Sequence, residues 1–354
     1  MLDLPPLARF GDRLATGLLD VTSDPAALDS EGFWAVCADF EGRLTCARFA
    51  DARKEPVPAP TPGAWRGPAV GDWTSSLDRA AYTTAVRRIR AHIAAGEVYQ
   101  ANLCRVLTAP IGPGADVDAL TALLARGNPA PYAGTIRLPG HGVEIATASP
   151  ELFLRRDGRT VESGPIKGTG RTEADLLDKD YAENVMIVDL VRNDLGRVCA
   201  TGTVSVPDLC VLEKHPGLVH LVSTVRGELR AGAGWPELLD AAFPPGSVTG
   251  APKASALRII EALETAPRGP YCGGIGWVDA DRRTGELAVG IRTFWIDRAA
   301  DAGAARLRFG TGAGITWGSD PEGEWRETEL KASRLLAVAS GAYEANVSGE
   351  ALAT

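Results

Sequence analysis

From residue 97 onward the chain sets strand-like segments beside one another with few helices between them, and this constrains the fold more than anything else in the sequence. The segment 97–107 (EVYQANLCRVL) reads as a strand, as do the stretch near 143–155, Thr160–Glu162 and the apolar run HLVSTVRG at 220–227. A hairpin is expected over about 271–296, with GWVDADRRTGELAVGI supplying its turn, and a strand near 306–310 leads into glycines. Adjacent strands joined this directly predict a mainly antiparallel α+β fold. The regular alternation of strand and helix that marks a Rossmann domain is absent. Helices are predicted at 178–193, 235–243, 253–264 and about 321–340.

Upstream, residues 32–51 read as a second hairpin, two apolar runs around Glu41-Gly42. Residues 51–73 are dense in Pro and Gly and read as a connection. Ser75 with Asp78 resembles a capping box, followed by a helix with Tyr82, Ala85, Ile89 and Ile93 on one face and Gly96 at its end. The expected organisation is therefore a shortened N-terminal region and linker over 1–75 and one large unit over 76–345.

Bulk composition narrows the function classes. The 354 residues carry a net charge of −8, which argues against a nucleic-acid binder, whose binding face is basic. The six cysteines include no C-x-x-C pair, so zinc and thioredoxin-like sites are not expected, and they read as reduced, buried thiols. Met1–Asp20 lacks the apolar core of a signal peptide, and no run is long and apolar enough to span a membrane. A cytoplasmic protein is expected.

Several stretches have the residue types for chemistry. On the last helix, Glu324, Glu327 and Lys331 fall three and four apart on one face. Such a stripe is ordinarily a solvated ladder worth roughly 0.2–0.5 kcal/mol per pair; it also suits a divalent cation beside a substrate anion. Asp180 and Glu183 form a second acidic pair on the helix at 178–193. Oxygen ligation from one or two carboxylates with retained waters is what Mg²⁺ prefers. Lys167 lies between turn-forming residues in Ser163–Thr169, and in a desolvated pocket such a lysine becomes a nucleophile. Residues 246–253 fail the offsets of a phosphate-binding P-loop and read as a loop before a helix. Gly310–Gly314 is a weak glycine signal, suited to close approach of backbone N–H groups to an anion. The histidines at 92, 141, 215 and 220 show no ligand or triad spacing. Arg292 is a charge inside an apolar strand, where an arginine usually pairs with an anion.

In this order, these pieces resemble the chorismate-utilising enzymes: the large subunits of anthranilate synthase and aminodeoxychorismate synthase, with isochorismate and salicylate synthases. The matching signatures run from about Tyr99 to Leu336. They are YQANL at 99–103, SPE at 149–151, PIKGT at 165–169, AENVMIVDLVRND at 182–194 and HLVSTVRG at 220–227. TGAPK at 249–253, GPYCGGIGW at 269–277, IRT at 291–293, GTGAGI at 310–315 and EWRETELK at 324–331 complete the series.

The resemblance implies a single large antiparallel α/β sandwich with the site between two sheets. It implies Mg²⁺ held by Glu183 and Glu327, with Asp180 and Glu324 acting through water. Tyr271, Arg292 and Lys331 would hold the enolpyruvyl carboxylate of chorismate, aided by backbone N–H groups near Gly312 and Gly314. Glu151 would protonate the departing 4-hydroxyl, and His220 and Thr249 would line the pocket. Members that attack with water carry a lysine where this chain has Gln100. At PIKGT the anthranilate-forming and water-using members resemble PIAGT, so Lys167 favours the aminodeoxychorismate synthase branch and a covalent adduct. Ammonia would come from a separate glutamine amidotransferase subunit, since neither a fused glutaminase nor a lyase domain is expected. No counterpart of the family's LLES-type tryptophan-binding segment occurs. Rival readings are anthranilate synthase, aminodeoxyisochorismate synthase, and a non-catalytic chorismate-binding activator of an amidotransferase.

Overall fold

The computed structural model describes residues 4–342 apart from 62, 171, 177, 216–217 and 302–303; the expected limit at 345 and the His215 side chain lie outside the described set. The strands are β1 (Leu7–Phe10), β2 (Arg13–Thr22), β3 (Phe33–Ala38), β4 (Leu44–Lys54), β5 (Thr74–Ser75), β6 (Gln100–Pro110), β7 (Tyr132–Leu138), β8 (Val143–Ser149) and β9 (Leu152–Asp157). They continue with β10 (Thr160–Gly164), β11 (Ile166–Gly170), β12 (Ser205–His215), β13 (Leu218–Glu228), β14 (Gly250–Ala251), β15 (Gly274–Asp279), β16 (Thr284–Val289), β17 (Thr293–Asp301) and β18 (Ala304–Ile315). The helices are α1 (Arg79–Ala94), α2 (Val117–Gly127), α3 (Asp178–Gly196), α4 (Trp235–Ala242), α5 (Lys253–Leu263) and α6 (Pro321–Ala339).

Every pairing between named strands is antiparallel, as the sequence predicts. Following the hydrogen bonds gives one ladder: β12, β13, β10, β9, β16, β15, β3, β4, β2, β1, β7, β8, β17, β18, β6. β11 also pairs with β13, and β5 and β14 lie along the free edge of β6. The two expected sheets are thus halves of one network, joined where β2 pairs with β1. The composition change near residue 75 does not interrupt it, because β1 pairs with β7 and β3 with β15.

One core holds the halves together. Phe33, Trp34 and Phe153 from one half are buried with Ile136, Ile145 and Val106 from the other. Burying such a side chain contributes about 1.5–3 kcal/mol. A second core packs α2 and α6 on β8, β17 and β18 through Leu120, Leu124, Phe294, Phe309 and Leu335. A third seats α1 and α5 on β6 and β18 through Tyr82, Ile89, Leu103 and Ile259.

The sequence misplaces several boundaries, each for a local reason. The stretch 143–155 breaks at Pro150, which lacks the N–H a central strand needs. The hairpin expected over 271–296 ends at Val289, and Thr293 onward pairs with β8 and β18 in the other half. Helix α1 is capped by Asp78, which accepts the Ala81 N–H at 2.8 Å, while the Ser75 hydroxyl donates to the Leu77 carbonyl instead. Asp320 and Pro321 start α6 as predicted, Asp320 accepting the Gly323 N–H at 2.8 Å.

Candidate active site

Two of the links between the halves of the ladder, β8 to β9 and β16 to β17, run side by side. The Val289 N–H donates to the Glu151 carbonyl at 3.0 Å, the Ala148 N–H donates to the Arg292 carbonyl at 3.0 Å, and the Ser149 hydroxyl donates to the Val289 carbonyl at 2.6 Å. These bonds fix the backbone at Glu151 and Arg292, the candidate site residues of these two links. Arg292 adopts φ 52°, a left-handed conformation uncommon outside glycine and frequent at functional sites. Burial pushes the Glu151 carboxyl up to about 7, against a hydrogen bond from Ser247 and the positive charges of Lys167 and Arg292. Burial likewise pushes the Arg292 guanidinium down from its ordinary value, opposed by Glu151.

Lys167 reaches the same place from β11. Opposite β13 the register slips between Lys167 and Thr169, and Gly168 takes φ +75° at the bulge. A side chain at Gly168 would meet Asp180 Cβ at 2.9 Å, so the bulge also needs a glycine for space. The half-buried Lys167 ammonium donates to the Ser247 carbonyl at 3.2 Å. Ser247 therefore touches both Lys167 and Glu151, through its carbonyl and its hydroxyl respectively. Nothing in its surroundings, read as a loop before a helix, singled it out.

The two acidic pairs, on α3 and α6, come within each other's field through Glu183 and Glu327. Burial pushes Glu183 up; Lys167 and Lys179 oppose this, while Asp180 and Glu327 add to it. Burial also pushes Glu324 up, with a Ser319 hydrogen bond opposing and Glu327 adding. At Glu327 burial acts upward too, but Lys331, Lys179 and Lys167 outweigh it and hold the carboxyl below its ordinary value. Among the described residues no three His, Cys, Asp or Glu side chains converge on one point. The donor set still suits Mg²⁺, which takes one or two carboxylates and keeps several waters. Its donors are carboxylate oxygens alone, and a cation between them would relieve their mutual repulsion.

Most of the remaining expected residues cluster along β18 and β6, while His220 lies on β13. Lys331 pairs with Glu327 at 2.7 Å and donates to the Gly312 carbonyl at 3.1 Å, so in this state its ammonium is engaged by the protein. Buried Tyr271 lies flat on Gly310, where a Cβ would stand 2.0 Å from the ring. Gly312 abuts the Leu103 carbonyl and Cys104, and Gly314 abuts the Gln100 amide. Gln100 is fully buried, and neither its Nε2 nor its Oε1 has a hydrogen-bond partner within the protein. The Thr249 hydroxyl points back into its own loop, toward the Pro245 and Gly246 carbonyls at 3.2 Å. His220 is buried on β13 opposite Thr169, one residue from the partner of Lys167.

Residues 27–337 match the chorismate binding enzyme family, and the chain belongs to it. It is 36% identical to aminodeoxychorismate synthase component 1 of Salmonella typhimurium, over 86% of this chain and 68% of that protein. It is 41% identical to anthranilate synthase component 1 of Streptomyces coelicolor, over 75% of this chain and 52% of that protein. The chain thus matches about half the length of the anthranilate synthase relative. Among solved structures, the menaquinone-specific isochorismate synthase MenF of Escherichia coli superposes with a TM-score of 0.78 at 18% identity, covering 94% of this chain and 88% of that one. Anthranilate synthase component I of Streptococcus pneumoniae does so with a TM-score of 0.70 at 24% identity, covering 95% and 81%. Both likenesses concern the fold. Among the described residues no helix is long and apolar enough to cross a membrane.

Proposed function

We propose that this chain is the chorismate-aminating subunit of an aminodeoxychorismate synthase, converting chorismate and ammonia to 4-amino-4-deoxychorismate. The observation that carries this reading is the placement of Lys167, which donates to Ser247 and acts electrostatically on both Glu151 and Glu183. A primary amine held between a buried acid and a carboxylate pair suits nucleophilic attack on a ring bound there.

In this reading the Lys167 ammonium gives a proton to water, the freed amine bonds to ring C2, both ring double bonds shift, and the 4-hydroxyl departs as water with the proton of Glu151. Ammonia then bonds at C4, the double bonds shift back, and the lysine leaves C2 as an amine. The added nitrogen returns a proton to the Glu151 carboxylate. Two displacements place nitrogen where the hydroxyl was and leave the enolpyruvyl group attached. Tyr271, Arg292 and Lys331 would orient that group's carboxylate, Lys331 exchanging its present partners for it, with the Gly312–Gly314 backbone at its side. Gln100, Thr249 and His220 would shape the wall; an amide cannot take a proton from water, which favours ammonia as the nucleophile. Glu183 and Glu327 would hold Mg²⁺, with Asp180 and Glu324 through water, and the cation would neutralise the ring carboxylate. Ammonia would be supplied by a separate glutamine amidotransferase subunit.

The similarity to anthranilate synthase component 1 keeps one alternative open, formation of anthranilate at this same site. Incubation with chorismate, Mg²⁺ and ammonium separates the two, because anthranilate is an aromatic fluorophore and aminodeoxychorismate is not. Lys167→Ala is expected to lose the product and to regain part of it with added small primary amines. Unchanged product at an unchanged rate, without such amines, would remove the covalent step.

A further inference from the structure

The ten residues from Phe243 to Pro252 join α4 to α5 and carry Ser247 into the site. Both ends of this loop are gripped by one ammonium. Lys253, the first residue of α5, donates to the carbonyl of Ala242, the last residue of α4, at 3.0 Å. The same ammonium meets the Asp194 carboxylate at 2.6 Å, tying the loop's base to the last turn of α3. The Asp194 and Lys253 side chains are only 7% and 17% exposed. Beside them lies a cavity of about 10 Å³, room for one water, whose lining includes Glu151, Ser163, Asp194, Gly246 and Ser247. Glu151 and Asp194 therefore line one small cavity, with Lys253 behind Asp194, and the aminating mechanism does not use it.

We propose that the Asp194–Lys253 ion pair is a positioning device for the reaction: it holds the loop that keeps Glu151 and Lys167 together, and it presents no net charge to Glu151 across the cavity. The proposal rests on the reading of Glu151 as the acid. The other groups facing Glu151 are Lys167 from β11, Arg292 from the second link, the Ser247 hydroxyl and the Ile166 N–H. Those facing Asp194 are Lys253 and Arg197. Removing one member of the pair leaves an unbalanced charge near Glu151, and in a low-dielectric enclosure that charge acts strongly.

The test is the pH profile of kcat/KM, together with the infrared stretch of the protonated Glu151 carboxyl in substrate-free protein, assigned by its loss in Glu151→Gln. Asp194→Asn leaves the lysine cation unpaired, favours the Glu151 carboxylate, and is expected to move both titrations down by about half to one pH unit. Lys253→Met leaves the carboxylate and should move them up. The double variant Asp194→Asn/Lys253→Met carries neither charge and should bring both back toward the wild-type position. A pair that serves stability alone would lower the rate at every pH without moving either titration, and that result overturns the proposal. Displaced infrared titrations without any turnover of chorismate would instead overturn the functional reading and leave only the pair's hold on the Glu151 titration.

Discussion

Glu151 is a carboxyl that burial moves far from its ordinary value. A carboxyl pushed up to about 7 by burial keeps about half its protons at neutral pH, which leaves a general acid poised there. Activity should therefore fall about tenfold per unit as pH rises well above 7, and Glu151→Gln should cost on the order of 10²- to 10⁴-fold in kcat and abolish that limb. The same shift has a stability consequence of fixed sign. Folding favours the proton on Glu151, so its contribution is complete below the unfolded pKa near 4.5 and is lost as pH rises through about 7. Glu151→Gln should thus stabilise the protein more at pH 8 than at pH 5, the difference in stability being on the order of a few kcal/mol and visible as a higher melting temperature at pH 8. Thermal melts at the two pH values check this. At this scale the sequence was legible where a residue broke its local pattern. Arg292 stands out as a charge in an apolar stretch; the structure places it not in a strand but in the link before β17, half-buried within the field of Glu151. Ser247, Asp194 and Lys253 were not singled out, because an ordinary loop serine and an ordinary helical charge look the same whether or not the fold turns them inward.

Among the elements, β18 shows how glycines make room for side chains. Tyr271 occupies the space over Gly310 where a Cβ would stand. Gly310→Ala should therefore destabilise the protein by about 1–3 kcal/mol through overpacking. Adding Tyr271→Ala should recover part of that loss, giving a non-additive double variant in urea unfolding. The sequence presented these glycines as a weak anion-binding signal; their packing role depends on Tyr271, which arrives from a different segment. Helices with strong local signals, such as α6 behind Asp320-Pro321, were legible almost to the residue. Strands were less so, since β17 is defined by its partners β8 and β18 and not by any feature of 293–301.

For the molecule as a whole, antiparallel α+β architecture could be read from the succession of strands, but closure of the ladder through the N-terminal strands could not. Those pairings join residues more than 100 positions apart, such as Ala8 with Ile136 and Ile275 with Cys37. Removing residues 1–54 should therefore yield aggregated chain and not a smaller working unit, because it strips the partners from β7 and β15 and bares their edges. Solubility and circular dichroism of the shortened chain would show this. The ladder's termini have a further consequence. Lys167 and His220 belong to strands at one rim, and Gln100 and Thr249 belong to the other rim or its adjoining loop. The cleft exists only once every intervening strand has found its neighbour. A small molecule that bridges the rims thus acts as a clasp on the finished hoop: it distinguishes completed molecules from nearly completed ones, and its binding reports on the whole chain.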